Sequence, residues 1–319
     1  MTSEFELIQR YFKRRTLHTD LDGGDDAALI SLWPGSQLVV STDMLVEGTH
    51  FLPGTDARDL GWKTLAVNVS DLAAMAAEPR WALLAMALPE ADEDWLEAFS
   101  EGVYECAAAF GVDLAGGDTT RGPRTLCVTI MGEVPHGRAV TRAGARPGDE
   151  VWISGQPGRA ALGLAHLRGT LRLPDTLRDA CIAAQQRPQP RVALGLALRD
   201  VATAMLDVSD GLLGDLAHLL DQSGVGACIV ENALPVQHLA NGGVDPATLR
   251  QAVLAGGDDY ELLFTAPREA REQIASLSDR LALPLHCIGH ILPAGSGLQL
   301  QTTDGRPVPT ACAGYDHFR

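Results

Sequence analysis

Along the chain the spacing of apolar residues switches repeatedly between the helical and the strand period, an alternation that predicts layered α/β structure. Ser3 and Glu6 have capping-box spacing, and Phe5, Ile8 and Phe12 follow at helical spacing, so an amphipathic helix opens the chain. A polar loop through Gly23 and Gly24 comes next. Residues 27–32 and 37–40 read as strands, residues 59–77 as a helix with Leu60, Leu65, Leu72 and Met75 on its apolar positions, and residues 81–87 as a buried strand. A helix over 93–110, a short strand over 113–115 and a strand over 126–132 complete a first unit, which ends near Arg146-Pro147-Gly148.

From Glu150 the pattern restarts with the strand VWISG, a helix after Pro157, an Arg/Pro-rich turn over 187–191 and a helix through Leu198. Then come a strand (204–208), a helix (211–221), a strand (227–230), the segment GGDDYELLF, a helix from Pro267 and a strand near His286. Two domains are expected, 1–146 and 147–319. A chain of 319 residues is more than one hydrophobic core usually serves.

Charge narrows the function. With 25 Lys and Arg against 41 Asp and Glu the net charge is −16, which repels a nucleic-acid backbone or an anionic membrane surface. The longest apolar run, Trp81 to Leu88, is far below the roughly 18 residues of a membrane span. The first residues mix acid, base and apolar side chains without a secretory h-region, so the expected compartment is the cytoplasm. Six scattered cysteines with no CxxC pair read as reduced, mostly buried small hydrophobes.

The chemistry lies in recurring short motifs. Gly-Gly-Asp occurs at Gly23-Gly24-Asp25, Gly116-Gly117-Asp118 and Gly256-Gly257-Asp258, and two of these run on into Asp26 and Asp259. Ser or Thr precedes Asp in Ser41-Thr42-Asp43, Ser70-Asp71 and Ser209-Asp210-Gly211, the last with Asp207 upstream. Most of them are expected where a strand ends or a helix begins. Taken singly, each is ordinary turn and N-cap chemistry. Taken together, crowded carboxylates would repel by about 4 kcal/mol per close pair at an effective dielectric of 20 unless cations sit among them. Carboxylate and hydroxyl oxygens favour Mg²⁺ or Mn²⁺, and Mg²⁺ held by a few carboxylates plus substrate phosphates implies a nucleotide substrate. A P-loop is excluded because neither of the two lysines, Lys13 and Lys63, stands in the GxxxxGK[ST] frame, and no GxGxxG follows a strand.

Eight blocks carry a resemblance: GDDAAL from Gly24, STDMLVEGTHF from Ser41, AVNVSDLAAMAAEP from Ala66, AGGDTTRGP from Ala115, GRAVTRAGARPGD from Gly137, LDVSDGL from Leu206, GGDDYELLF from Gly256 and GYDHF from Gly314. In this order they resemble the thiamine-monophosphate kinase family over essentially the whole chain. The resemblance implies two α/β domains with the aminoimidazole ribonucleotide synthetase fold: an N-terminal domain for ATP, metal and homodimer formation, and a C-terminal domain that completes the active site. It implies ATP-dependent phosphorylation of thiamine monophosphate to thiamine diphosphate, with several Mg²⁺ ions. Carried over residue by residue, Asp26, Ser41, Thr42, Asp43, Asp71, Asp118, Asp207 and Asp210 would be metal ligands. Gly117, Asp118, Arg142 and Ser209 would meet ATP, and Tyr104 is either an adenine contact or a core residue. His50, Asp258 and the terminal aromatic Tyr315 would bind thiamine monophosphate, since a cationic thiazolium favours an aromatic face. A phosphate monoester is already anionic near pH 7, its second pKa being about 6, so no general base is assigned. The competing readings are another ATP-using member of the same superfamily and a non-catalytic acidic cation-binding module. A selenium enzyme would carry an early reactive Cys, whereas the first here is Cys106, and a hydrogenase maturation protein would end in cysteine rather than YDHFR.

Overall fold

A computed structural model describes residues 4–240 and 243–308, without the side chains of residues 4, 5, 238 and 240. The chain forms two compact units, one of Met1–Leu72 with Ala77–Ala139, the other of Ala73–Ala76 with Val140–Arg319. Among the described residues no helix is long and apolar enough to cross a membrane.

The first unit contains α1 (Glu4–Tyr11), β1 (Ser36–Val46), α2 (Ala57–Ala74), β2 (Glu78–Leu88), α3 (Glu93–Phe110), β3 (Asp113–Arg121) and β4 (Thr125–Pro135). Its four-stranded sheet has the order β1-β4-β2-β3; β4 runs antiparallel to β1 and β2, and β3 parallel to β2. α3 has the expected bounds because local signals end it at both sides. Asp92 accepts from the Trp95 N–H at 3.1 Å, and Gly111 closes the helix at φ 68°. α2 is buried on nearly every side from Leu60 onward, its polar Lys63, Thr64, Asn68 and Ser70 included. α2 and α3 touch backbone to backbone: a Cβ on Gly61 would fall 2.0 Å from the Phe99 carbonyl oxygen, and one on Gly102 1.8 Å from that of Arg58.

The expected strand over 27–32 is absent. Leu29 pairs only with Leu21 in an isolated bridge, and Leu29, Leu32 and Trp33 are exposed, so the apolar run lies on a surface loop instead of in the sheet. The expectation that the Gly-Asp and Ser-Asp motifs sit at strand ends or helix starts also fails three times: Ser70-Asp71 lies inside α2, Ser41-Thr42-Asp43 inside β1 and Gly116-Gly117-Asp118 inside β3. Strand pairing with β4 and β2 carries the two strand segments through their polar residues.

The second unit contains β5 (Glu150–Ser154), α4 (Arg159–Leu167), α5 (Asp175–Gln186), α6 (Val192–Leu198), β6 (Ala204–Asp207), α7 (Leu212–Ser223), β7 (Gly226–Val230), α8 (Gln237–Ala240), α9 (Pro246–Ala255), β8 (Leu262–Ala266), α10 (Arg271–Leu281), β9 (Leu285–Leu292) and β10 (Leu298–Gln301). Its six-stranded sheet has the order β10-β7-β9-β5-β8-β6 and is mixed, with β10 and β7 parallel and the other pairs antiparallel. One core joins Ile153, Leu206, Leu216, Leu263 and Ile288, and another joins Trp152, Leu198, Phe264 and Ile274. The helix expected from Pro267 starts as a 3₁₀ turn (Arg268–Ala270) and becomes α-helical at Arg271. The periodicity passes over α5, α8, α9 and β10.

Candidate active site

In the first unit the pleat of β1 divides the expected ligands between two faces. Ser41 and Asp43 are half-buried, while Thr42 and Met44 are exposed. The Ser41 hydroxyl donates to Asp71 Oδ2 at 2.6 Å, and the Asp43 N–H donates to Asn68 Oδ1 at 3.0 Å, so β1 and one face of α2 bring Ser41, Asp43 and Asp71 together. Asn68, which the motif reading passed over, is itself held by its amide donating to the Thr64 carbonyl at 3.0 Å. It stands three residues before Asp71, the helical spacing that could have found it. Thr42 donates instead to the Val128 carbonyl at 2.9 Å. The register Met44, Cys127, Ala85, Asp118 across the four strands assigns exposed Asp118 to the Thr42 face. Its neighbour Gly117 is required by close approach, because a Cβ there would fall 1.9 Å from the Leu84 carbonyl oxygen.

Asp26 is exposed on the loop before β1, its N–H donating to Asp25 Oδ1 at 2.9 Å. The segment leading into that loop is clamped by buried Asp113, which accepts from the N–H groups of Leu17 and His18 and from the Thr19 hydroxyl. His50 closes the turn after β1, with Nδ1 accepting from the Val46 N–H at 3.0 Å, which leaves Nε2 as the protonated nitrogen. Tyr104 lies on α3 under the Arg14 guanidinium, 3.9 Å from the ring centroid, and its buried hydroxyl has no hydrogen-bond partner among the described residues. Burial pushes that phenol up to about 12.

In the second unit Asp207 ends β6 and is buried, and the loop to α7 carries Ser209 and Asp210. Asp215, in the first turn of α7, holds this loop: its Oδ2 accepts the N–H groups of Ser209 (3.1 Å), Asp210 (3.0 Å) and Gly211 (3.1 Å). Burial raises the Asp215 carboxyl to about 6 against those hydrogen bonds, which pull it down. The motif reading missed Asp215, and an acid in the first turn after Ser-Asp-Gly is the signal that could have found it.

The GGDDYE segment lies along the same loop. Asp258 N–H donates to the Ser209 carbonyl, Tyr260 N–H to that of Val208, and Val208 N–H to that of Glu261, all at 2.8 Å. Asp258 and Tyr260 hold left-handed backbone at φ 68° and 50°, strain of the kind that gathers at functional sites, and the Tyr260 hydroxyl reaches Asp258 Oδ1 at 3.3 Å. Arg142 is exposed, its carbonyl accepting from the Ser223 hydroxyl. Tyr315 lies outside the described residues.

Among the described residues no three His, Cys, Asp or Glu side chains converge on one point. Ser41 hydrogen-bonded to Asp71, with Asp43 on the same face of β1, is a donor set of the kind Mg²⁺ takes, one or two carboxylates completed by water and substrate phosphates. The donors present, carboxylates with a neighbouring hydroxyl, are hard oxygens.

A family model described as AIR synthase related protein, N-terminal domain, matches residues 24–134, and its C-terminal counterpart matches residues 146–300. The thiamine-monophosphate kinase of Salmonella typhimurium is 45% identical over 319 residues, 99% of this chain and 98% of that protein. The Bacillus subtilis enzyme of the same name is 35% identical over 325 residues, 99% of each. The crystal structure of thiamine-monophosphate kinase from Stenotrophomonas maltophilia K279a has a TM-score of 0.84 at 45% identity, covering 91% of this chain and 92% of that one. AaThiL complexed with AMPPCP and TMP has a TM-score of 0.76 at 32% identity, covering 92% and 91%. Hydrogenase maturation protein HypE, at 24% identity and a TM-score of 0.74, shares the fold. Matched across both of its domains and nearly its whole length, the chain belongs to the thiamine-monophosphate kinase family.

Proposed function

We propose that the chain transfers the γ-phosphoryl group of ATP to thiamine monophosphate, giving thiamine diphosphate. The observation that carries this reading is the end-to-end match to enzymes of that name, together with the likeness to a structure holding AMPPCP and TMP. An acidic cation-binding module would not account for the end-to-end match to kinases.

The chain's own groups bind and orient. Gly117 presents backbone without a side chain, and Arg142 and Ser209 offer donors for nucleotide phosphates. Asp258, fixed by its left-handed backbone, and His50, whose Nε2 carries its proton, would meet thiamine monophosphate. Tyr315 supplies the aromatic. A phosphate oxygen of the acceptor attacks in line, and no side chain need abstract a proton. Ser41, Asp43 and Asp71 on one face of the first sheet, Thr42 and Asp118 on the other, and Asp26, Asp207 and Asp210 on loops and a strand end would hold several Mg²⁺, or Mn²⁺. The bound ions would neutralise charge on the reacting phosphates.

The same reading makes 1–146 the nucleotide, metal and dimer domain and 147–319 its complement, in a cytoplasmic homodimer. Leu38, Val40, Met44 and Leu83, apolar and exposed on one face of the first sheet, are the surface a second copy would cover. Incubating the protein with ATP, Mg²⁺ and thiamine monophosphate should yield thiamine diphosphate and ADP, and absence of both products would refute the assignment.

A further inference from the structure

The second unit contains a cavity of about 620 Å³ whose walls include none of the residues assigned above to ATP, metal or acceptor. It opens between the end of β5, the start of α4, the Ala180, Ala183 and Ala184 side of α5 and the Arg/Pro-rich turn over 187–191. This volume falls in the range of small-molecule sites. Three arginines line it: Arg159, Arg187 and Arg191. In a chain of net charge −16 such a concentration of positive charge needs a reason.

The two acidic groups in the wall are already engaged. Glu261 forms a two-pronged pair with Arg191, at 2.7 and 2.6 Å, and also accepts from the Ser154 hydroxyl at 2.5 Å. Asp259 accepts the N–H of Gly158 at 2.6 Å and of Ala160 at 3.3 Å, which caps the start of α4. Burial holds the Asp259 carboxyl well above the usual carboxylate range, against those two hydrogen bonds, which pull it down. Arg191 is therefore neutralised, whereas Arg159 is not matched by the wall. Its Nε is buried with no hydrogen-bond partner among the described residues. A buried guanidinium N–H without an acceptor is costly, and a guanidinium fork is the group that best matches a phosphate. Ala180, Ala183 and Ala184 of α5, with Leu283 and Pro284, give one part of the wall a small apolar character that would accept an organic body, and Gln156 and Gln189 add polar groups beside it.

We propose that this cavity is a second ligand site, taking a small phosphate-bearing anion whose phosphate bonds Arg159 and Arg187 and whose body lies against α5. The site is independent of the reaction assigned above, and its test does not rely on turnover. Equilibrium dialysis of the full chain against radiolabelled inorganic phosphate, in excess chelator to remove metal-dependent binding elsewhere, should show one phosphate per chain. Arg159→Gln and Arg187→Gln should each weaken that binding about tenfold or more, as loss of a charge-assisted hydrogen bond does. Ala184→Leu, which fills the cavity without removing a charge, should weaken it as well. Thermal melts confirm that each variant is folded, and KM for ATP should stay within about twofold of the parent in all three, since none belongs to the nucleotide site. The proposal is overturned if the parent binds no phosphate at millimolar concentration, or if folded Arg159→Gln and Ala184→Leu both bind it as the parent does.

Discussion

Asp215 offers the sharpest test of how the second unit holds its functional loop. Its single Oδ2 accepts three successive N–H groups, of which Gly211 is buried and Ser209 and Asp210 are half-exposed. Asp215→Ala orphans all three, while Asp215→Asn keeps an acceptor oxygen and removes the charge. One buried N–H left without a partner costs about 1–3 kcal/mol, and two that can turn to water cost about 0.5–1.5 kcal/mol each. Asp215→Ala should therefore be less stable than Asp215→Asn by about 2–6 kcal/mol, and its turnover should fall with the loss of order at Ser209 and Asp210.

The charge carries its own pH signature. The carboxyl is raised from 3.8 to about 6, so between those values the folded chain holds a proton that the unfolded chain has released. The parent's stability from this group is then full below pH 3.8 and declines as pH rises through 6, by about 3 kcal/mol for a shift of about two units. Asp215→Asn lacks this decline, so its stability relative to the parent should rise across that window and be flat above it. The measurement is denaturant unfolding at a series of pH values without metal or nucleotide, beside a product assay. Equal stability and equal turnover for the Asn and Ala variants, or a parent-to-Asn difference that does not change with pH, would refute the reasoning.

Further outcomes follow from the site and the packing. Asp71→Asn keeps the contact with Ser41 but removes a charged metal ligand, so turnover should nearly vanish while stability without metal stays level or rises by at most a few kcal/mol; near-parental turnover would sink the metal role. Excess chelator should abolish activity, and free thiamine should be a poor acceptor beside its monophosphate, both read by chromatography of the products. Val40→Glu combined with Met44→Glu, on the exposed face of the first sheet, should convert a dimer to a monomer by light scattering at micromolar concentration, and an unchanged mass would exclude that face. Gly102→Ala should destabilise the first unit by about 1–3 kcal/mol, because its Cβ has no room beside the Arg58 carbonyl; an unchanged melt would mean that the helices can part without loss.

What the sequence determined alone is what local chemistry decides. The bounds of α3 follow from Asp92 before it and Gly111 after it, groups that act within one turn of the chain. The alternation of periods sets the α/β class, and the ordered motif blocks set the family, because both are properties of neighbours in sequence. Tertiary structure decided where those blocks point. The Asp118 and Thr42 face, opposite Ser41 and Asp43, depends on the register of four strands drawn from distant segments, and a shift of one residue would reverse it. The run over 27–32 has strand-like composition, yet no sheet edge receives it, so the same residues form a loop. Asp215, Asp259 and Arg159 are ordinary letters in the sequence. Burial, and the backbone N–H groups or missing partners that folding sets beside them, give each its chemistry, because the energy of a charged or polar group depends on what surrounds it in space.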